Sequence, residues 1–250
     1  MRRAAGAVLA LALVACSAPA APRLPAPAPI SASSGPGAPP SSIAPSSVTA
    51  AARTRFAGRI RSPLPESMRR ELRGTTWHPG CPVPLRDLAL LRFNHVGFDG
   101  EVHRGPMVVH RSVAADVLGV FRTLFETGFP LKRVALASRF RPNADPDTRR
   151  NVTAAFNCRP VITPDGPQET FSQHAWGLAV DVNPLQNPYV AADGSVRNRF
   201  ARPYVDRSQD LPGMIHEGDV VVRAFAAIGW SWGGRWSGGR DYMHFSLTGR

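Results

Sequence analysis

Lysine is almost missing from this chain of 250 residues: Lys132 stands alone among 30 basic residues. The positive balance, +12, is therefore an arginine balance. A GC-rich gene would produce such a bias, and so would attraction to an anionic surface such as cell-wall polymer or lipid headgroups. No basic run is interleaved with aromatics, so nucleic acid is not among the expected partners. No apolar stretch reaches the roughly 20 residues that span a bilayer. There is no internal repeat, and no Gly-x-Ser-x-Gly elbow to place a serine nucleophile. Cysteine is scarce, with three in the whole chain.

What is present divides into three segments. Residues 1–16 read as an export signal, with Arg2 and Arg3 before the apolar run Ala4 to Ala15. The run ends in Leu13-Val-Ala-Cys16, which resembles a bacterial lipobox, so Cys16 is the expected lipidation site and a lipid anchor in the membrane the expected attachment. Residues 17–55 are rich in Ala, Pro and Ser, with few large apolar side chains. They cannot bury enough surface to offset their ordering entropy and read as a disordered tether. At ~3 Å per residue this tether reaches on the order of 100 Å. Residues 56–250 are enough for one domain with a real core. Cys81 and Cys158 remain, and an even pair in an oxidising compartment reads as a disulfide. Metal ligation is the weaker reading of that pair.

Along the domain, Pro65 to Leu72 suits a short helix. Asp87 to His95 and Glu101 to Arg104 suit strands joined by the turn Gly97-Phe-Asp-Gly100, with Met107 to His110 a further short strand. Val113, Val117, Val120, Phe121, Leu124 and Phe125 recur at helical spacing after Ser112, and Gly128 ends that helix. Arg133 to Ser138 and Leu178 to Val182 are strand-like, Asn143 to Pro167 and 184–212 read as long loops, and Glu217 to Ile228 as a second long helix. Trp230 to Trp236 and Tyr242 to Leu247 suit a final strand pair. Helices and strands mix without βαβ alternation. The expected fold class is α+β: a single domain with a largely antiparallel sheet and flanking helices.

The chemistry gathers in two runs, Ser172-Gln-His174-Ala-Trp-Gly177-Leu-Ala-Val-Asp181 and Asp241-Tyr-Met-His244. Two His and one Asp can hold a zinc ion and leave its fourth position open, and a second Asp can serve as base. Side chains alternate along a strand. Leu178, Val180 and Val182 then share a core face, and Ala179, Asp181 and Asn183 a small, polar one. His244 likewise falls opposite Met243 and Phe245. His174 is expected in a loop that Gly177 lets approach the metal closely. Asp241 has the wrong parity to share His244's face. It needs a bend before the strand, for which Gly238 and Gly239 supply the freedom. His78, His95, His103, His110 and His216 read as structural or surface residues.

Together, Ser-x-His-x-x-Gly-x-Ala-x-Asp and Asp-x-x-His resemble the zinc D-Ala-D-Ala carboxypeptidase and L-Ala-D-Glu peptidase family, which shares its fold with the hedgehog signalling domain. Trp230-Ser-Trp-Gly-Gly-Arg-Trp236 and Ser138-Arg-Phe-Arg-Pro142 extend the likeness, which runs from about residue 130 to the end. The resemblance implies one zinc ion held by His174, Asp181 and His244. It implies Asp241 as the acid/base and Arg141 as the oxyanion partner. Arg139 stands where the family usually has Gly and adds a second cation, a candidate for a substrate carboxylate. Ser172, Trp176 and Trp236 are candidate substrate-binding residues, with Trp232 a further wall of the cleft. The implied substrate is the peptide stem of peptidoglycan, cut by a carboxypeptidase or an endopeptidase outside the cytoplasm, at the cell envelope. The alternative is a catalytically inactive zinc-containing lipoprotein that binds the wall.

Overall fold

The computed structural model describes residues 55–139, 151–163 and 166–249, all within one compact unit. Cys16, with the signal and tether before it and after it, and Arg141 lie outside the described residues. Within them the architecture is α+β, with several small antiparallel sheets and a few helices. No helix among the described residues is long and apolar enough to cross a membrane.

The organising element is a three-stranded antiparallel sheet of β1 (Gly58–Arg61), β2 (Leu88–Val96) and β3 (Val102–His110), in that order. Met107 to His110, expected as a separate strand, continues β3. Leu88-Ala-Leu-Leu91 is apolar without alternation because both faces of β2 are covered. Ala89, Leu91 and Phe93, with Met107 and Val109 of β3, enter one core. Leu88 and Leu90, with Val108, enter another. The first core is closed by α2 (Ala114–Glu126), which contributes Val117, Val120, Phe121 and Leu124 at helical spacing. The second is closed by α1 (Glu66–Leu72), through Met68 and Leu72.

Cys81 and Cys158 are joined by a disulfide, and both sulfurs lie against the second core. Further segments differ from expectation. Trp230 to Trp236 is strand only at Ser231–Trp232 and then makes a 3-10 turn at Gly233–Arg235. Arg133 to Ser138 forms no strand. It makes one bridge, Val134 to Thr153, and then a 3-10 turn at Ala137–Arg139. The supposed loop before Pro167 contains an antiparallel hairpin, β4 (Pro160–Thr163) and β5 (Gly166–Phe171). Its strands carry mostly polar residues and Pro, with no alternation to read.

The remaining elements build the site. They are α3 (Gln173–Trp176), β6 (Ala179–Asp181), β7 (Tyr189–Val190), α4 (Val220–Ala227), β8 (Ser231–Trp232), β9 (Arg240–Asp241) and β10 (His244–Ser246). β10 is the centre of a sheet ordered β6-β10-β8, and β9 pairs with β7. Val180 and Phe245 pack into the first core with Phe225 of α4, while Ala175 of α3 packs into the second. The site therefore straddles the seam between the two cores.

Gly177 ends α3 with φ +70. Its carbonyl accepts the N–H of His110 at 2.9 Å, and a Cβ there would stand 2.5 Å from that same nitrogen. The close approach that requires glycine is thus to the end of β3, not to the metal ligands. Gly177→Ala adds left-handed strain of about 1–2 kcal/mol and breaks this contact. A fall in Tm of about 6 °C by calorimetry is expected for a domain of this size; an unchanged Tm would refute the packing account.

Candidate metal centre

Ser172 starts α3 by accepting the N–H of His174 on its hydroxyl, 3.3 Å away. Here the hydroxyl serves as an N-cap, and its place is behind His174 rather than on an open cleft wall, since Ser172 is buried. His174 accordingly sits in a short helix, not in a loop. Its Nδ1–H donates to the carbonyl of Ala155 at 2.7 Å. That fixes the tautomer and leaves the Nε2 lone pair aimed inward. Asp181 is the last residue of β6 and lies directly across from His244 in the β6–β10 register. Its backbone is locked on the other side by reciprocal bonds with Ala154, at 2.9 and 3.1 Å.

Three ligand atoms converge. His174 Nε2 stands 3.2 Å from His244 Nδ1 and 3.2 Å from Asp181 Oδ2, and His244 Nδ1 stands 3.2 Å from Asp181 Oδ1. Ligands about 2.05 Å from a tetrahedral ion are separated by about 3.3 Å, so the spacing suits a single zinc-sized ion. The donor set also suits it, with two buried imidazoles and a half-buried carboxylate. Burial by itself would raise the Asp181 carboxyl, but His174, and after it His244, hold it well below the usual carboxylate range. The residues present fit the implied metal.

Asp241 reaches this centre by the bend its parity requires. β9 ends at Asp241, residues 242 and 243 make a turn, and β10 begins at His244. The decisive bend follows Asp241; Gly238 and Gly239 lie in a separate bend before β9. Gly233 sits against the turn: a Cβ there would meet Asp241 O at 2.6 Å, Asp241 Cβ at 3.0 Å and His244 Cβ at 3.3 Å. Gly233 of the tryptophan run is thus what lets the backbone of Asp241 and His244 pack this closely. Asp241 Oδ1 is buried without a hydrogen-bond partner. Burial, and then the charge of Asp181, push its pKa up to about 7, against smaller pulls from His244, Arg159 and the backbone of Met243. A proton carrier poised near neutrality is what acid/base work requires.

That shift has a sign that can be checked in metal-free protein. An aspartate whose folded pKa is raised holds a proton that the unfolded chain has lost, so the contribution of Asp241 to stability is most favourable below about pH 4 and declines as pH rises toward 7. Asp241→Asn removes the penalty. Above pH 7 the metal-free variant should melt roughly 5 °C higher than the parent, with the two curves converging near pH 4. Equal melting curves across the range would exclude a buried, charge-crowded Asp241.

The other candidates separate. Trp236 stands beside the centre, its ring 5.4 Å from that of His244, with its indole N–H donated to Gly249 O at 2.7 Å. Trp176, on α3, is 39% exposed and free to meet a ligand. Trp232 is core: it is buried and donates to Tyr242 O at 2.8 Å. Arg139 is paired with Glu71 at 3.1 Å, an ion pair a substrate carboxylate would have to displace. Asn183 binds away from the ligands, to the backbone of Pro130, Lys132 and Gly213. Reading the sequence missed three contributors. The Ala155 carbonyl has no side-chain signature at all. Arg159 adjoins Cys158 and acts on Asp241 through its charge. Gly233 was visible only as part of a motif.

Two imidazoles and a carboxylate around one point, with a half-buried acid beside them whose Oδ1 is shielded, make up the class of site used by hydrolytic metal centres. Residues 165–247 match a family model described as D-alanyl-D-alanine carboxypeptidase. The match takes in His174, Asp181, Asp241 and His244, leaves Arg139 and Arg141 outside it, and supports a peptidase-type function. No curated protein and no solved structure matches the chain.

Proposed function

We propose that this protein is a zinc-dependent peptidase that hydrolyses the stem peptides of peptidoglycan, as a D-Ala-D-Ala carboxypeptidase or an L-Ala-D-Glu type endopeptidase. The observation that carries the reading is the convergence of His174, Asp181 and His244 with Asp241 alongside. A zinc ion held by those three residues supplies Lewis-acid polarisation of the scissile carbonyl and of the attacking water. Asp241 takes the water's proton on its unpartnered Oδ1 and returns it to the leaving amine. The Ala155 carbonyl keeps His174 in the tautomer that presents Nε2. Trp236 closes one wall of the site and limits water around it. Arg159, whose charge reaches Asp241, joins Arg139 as a candidate for a substrate carboxylate, and Arg141 is the candidate for the developing oxyanion.

Export and lipid attachment through Cys16 complete the proposal, because the peptidoglycan substrate lies outside the cytoplasm. An arginine-rich surface suits an anionic wall: Arg59 and Arg92 lie directly opposite one another on β1 and β2, both exposed. The test is to incubate the purified protein with defined muropeptides, with and without a chelator, and to analyse the products. Release of D-Ala or cleavage of a stem bond, lost with chelator and restored by zinc, is expected. Protein that holds zinc yet leaves every muropeptide intact would defeat the enzyme reading in favour of non-catalytic wall binding.

A further inference from the structure

We propose that His78, Cys81 and Cys158 form a second metal site, one that opens when the disulfide is reduced and takes a thiophilic divalent cation such as zinc. The three residues offer one imidazole nitrogen and two sulfurs, all within 4.8 Å of one another. His78 is one of the histidines expected to be structural. Yet it stands three residues before Cys81, a short ligand spacing that reading the two cysteines as a pair passed over.

The geometry around His78 is that of a ligand. Its Nδ1–H donates to the Pro79 carbonyl at 2.8 Å, which leaves the Nε2 lone pair free, the orientation that a backbone partner imposes on metal-binding histidines. Nε2 points at Cys158 Sγ from 3.6 Å. An imidazole nitrogen at about 2.05 Å and a thiolate at about 2.3 Å from a tetrahedral ion stand about 3.6 Å apart. The 78–81 turn is also closed on itself: the N–H of His78 donates to Cys81 Sγ at 3.2 Å, and the N–H of Cys81 to His78 O at 3.1 Å. An N–H aimed at sulfur favours the thiolate over the thiol. The Cα atoms of the cysteines are 5.9 Å apart. Side-chain rotation is therefore enough to part the sulfurs to the roughly 3.8 Å that two thiolates on one ion require.

Access decides the route. His78 is exposed, Cys81 half-buried and Cys158 buried. A dithiol reductant attacks Cys81 Sγ as its thiolate. The sulfur–sulfur bond breaks, and its electron pair leaves on Cys158 Sγ. The second thiol of the reductant then displaces Cys81 as a thiolate, and the reductant departs as a cyclic disulfide. Two electrons pass to the protein. Binding of the cation to both thiolates sends the reductant's two thiol protons to solvent. The ion then clasps the same two segments that the disulfide held. Cys158 adjoins Asn157, whose N–H bonds His174 O at 3.1 Å, and follows Ala155, which orients His174. The clasp thus preserves the support of the first centre under reducing conditions.

Cobalt(II) titration tests this on the full-length protein, oxidised and after reduction by a phosphine, which takes oxygen from water and offers no competing thiolate. Reduction should add one cobalt per chain, with a thiolate-to-cobalt charge-transfer band in the near ultraviolet. Cys158→Ser should abolish the band. His78→Ala, which keeps the disulfide for folding, should weaken the added site by more than the about 10-fold that loss of an outer-shell partner costs. The readout is the increment and its sulfur band, so the result does not depend on the peptidase reading. The proposal is overturned if reduction adds no cobalt, or if His78→Ala binds it as well as the parent. It is equally overturned if near-ultraviolet circular dichroism shows that the reduced chain unfolds before cobalt binds.

Discussion

Asp241→Ala should slow cleavage of muropeptides by about 10²–10⁴-fold, the usual cost of losing a positioned acid/base, while the protein still holds its full complement of zinc. The separation of those two effects is the point of the experiment. Asp241 contributes no ligand atom to the His174, Asp181 and His244 set, so metal content should be unchanged. The loss should fall on kcat, because the proton transfer is made in the transition state and substrate binding is largely untouched. Asp241→Glu should recover part of the rate, since a carboxylate remains and only its reach changes. Asp241→Ala activity within about threefold of the parent would remove the aspartate from the mechanism. Zinc lost along with activity would make it structural instead.

Reducing the Cys81–Cys158 bridge with no metal added should cost about 4 kcal/mol. The sequence separation it spans is 77, and the entropy returned to the unfolded chain grows with the logarithm of the loop. For a domain of this size the fall in Tm is about 10 °C. Cys81→Ser with Cys158→Ser should melt at the same temperature as the reduced parent, which differential scanning calorimetry will show. The effect should reach the catalytic rate as well, because the 154–158 segment ties Asp181 and His174 in place. A double variant as stable and as active as the oxidised protein would mean that the bridge is incidental.

How much of this was legible beforehand depended on whether a residue's role lies in its own side chain. β2 could be read from the unbroken apolar run Leu88-Ala-Leu-Leu91, buried on both faces, and α2 from the helical spacing of Val117, Val120, Phe121 and Leu124, because each pattern is the direct imprint of burial. The facing of Asp181 and His244 followed from strand parity, and the structure pairs them across β6 and β10. The β4–β5 hairpin was not legible, since apolar residues such as Val161 and Ile162, among prolines and polar residues, are too few to show a period. His174 was expected in a loop because Ser172 to Gly177 is too short to show helical periodicity, although Ser172 as N-cap and Gly177 as terminator were both in view. The bend at residues 242–243 was assigned to the glycines upstream, where freedom is greatest. Tertiary pairing of β9 with β7 put it elsewhere. The Ala155 carbonyl was beyond any reading of the sequence, since every residue offers the same carbonyl and only the fold selects one.

The pairing of Asp181 with His244 rests on a ladder of only three residue pairs. A slip of one place would set Phe245 or Met243 opposite Asp181 and turn His244 to the far face. Such a chain could still be compact, yet it would be blind to metal. Zinc uptake at the proposed centre is therefore expected to report strand register: chains whose last strand has docked out of frame should fail to be retained by a metal-dependent probe.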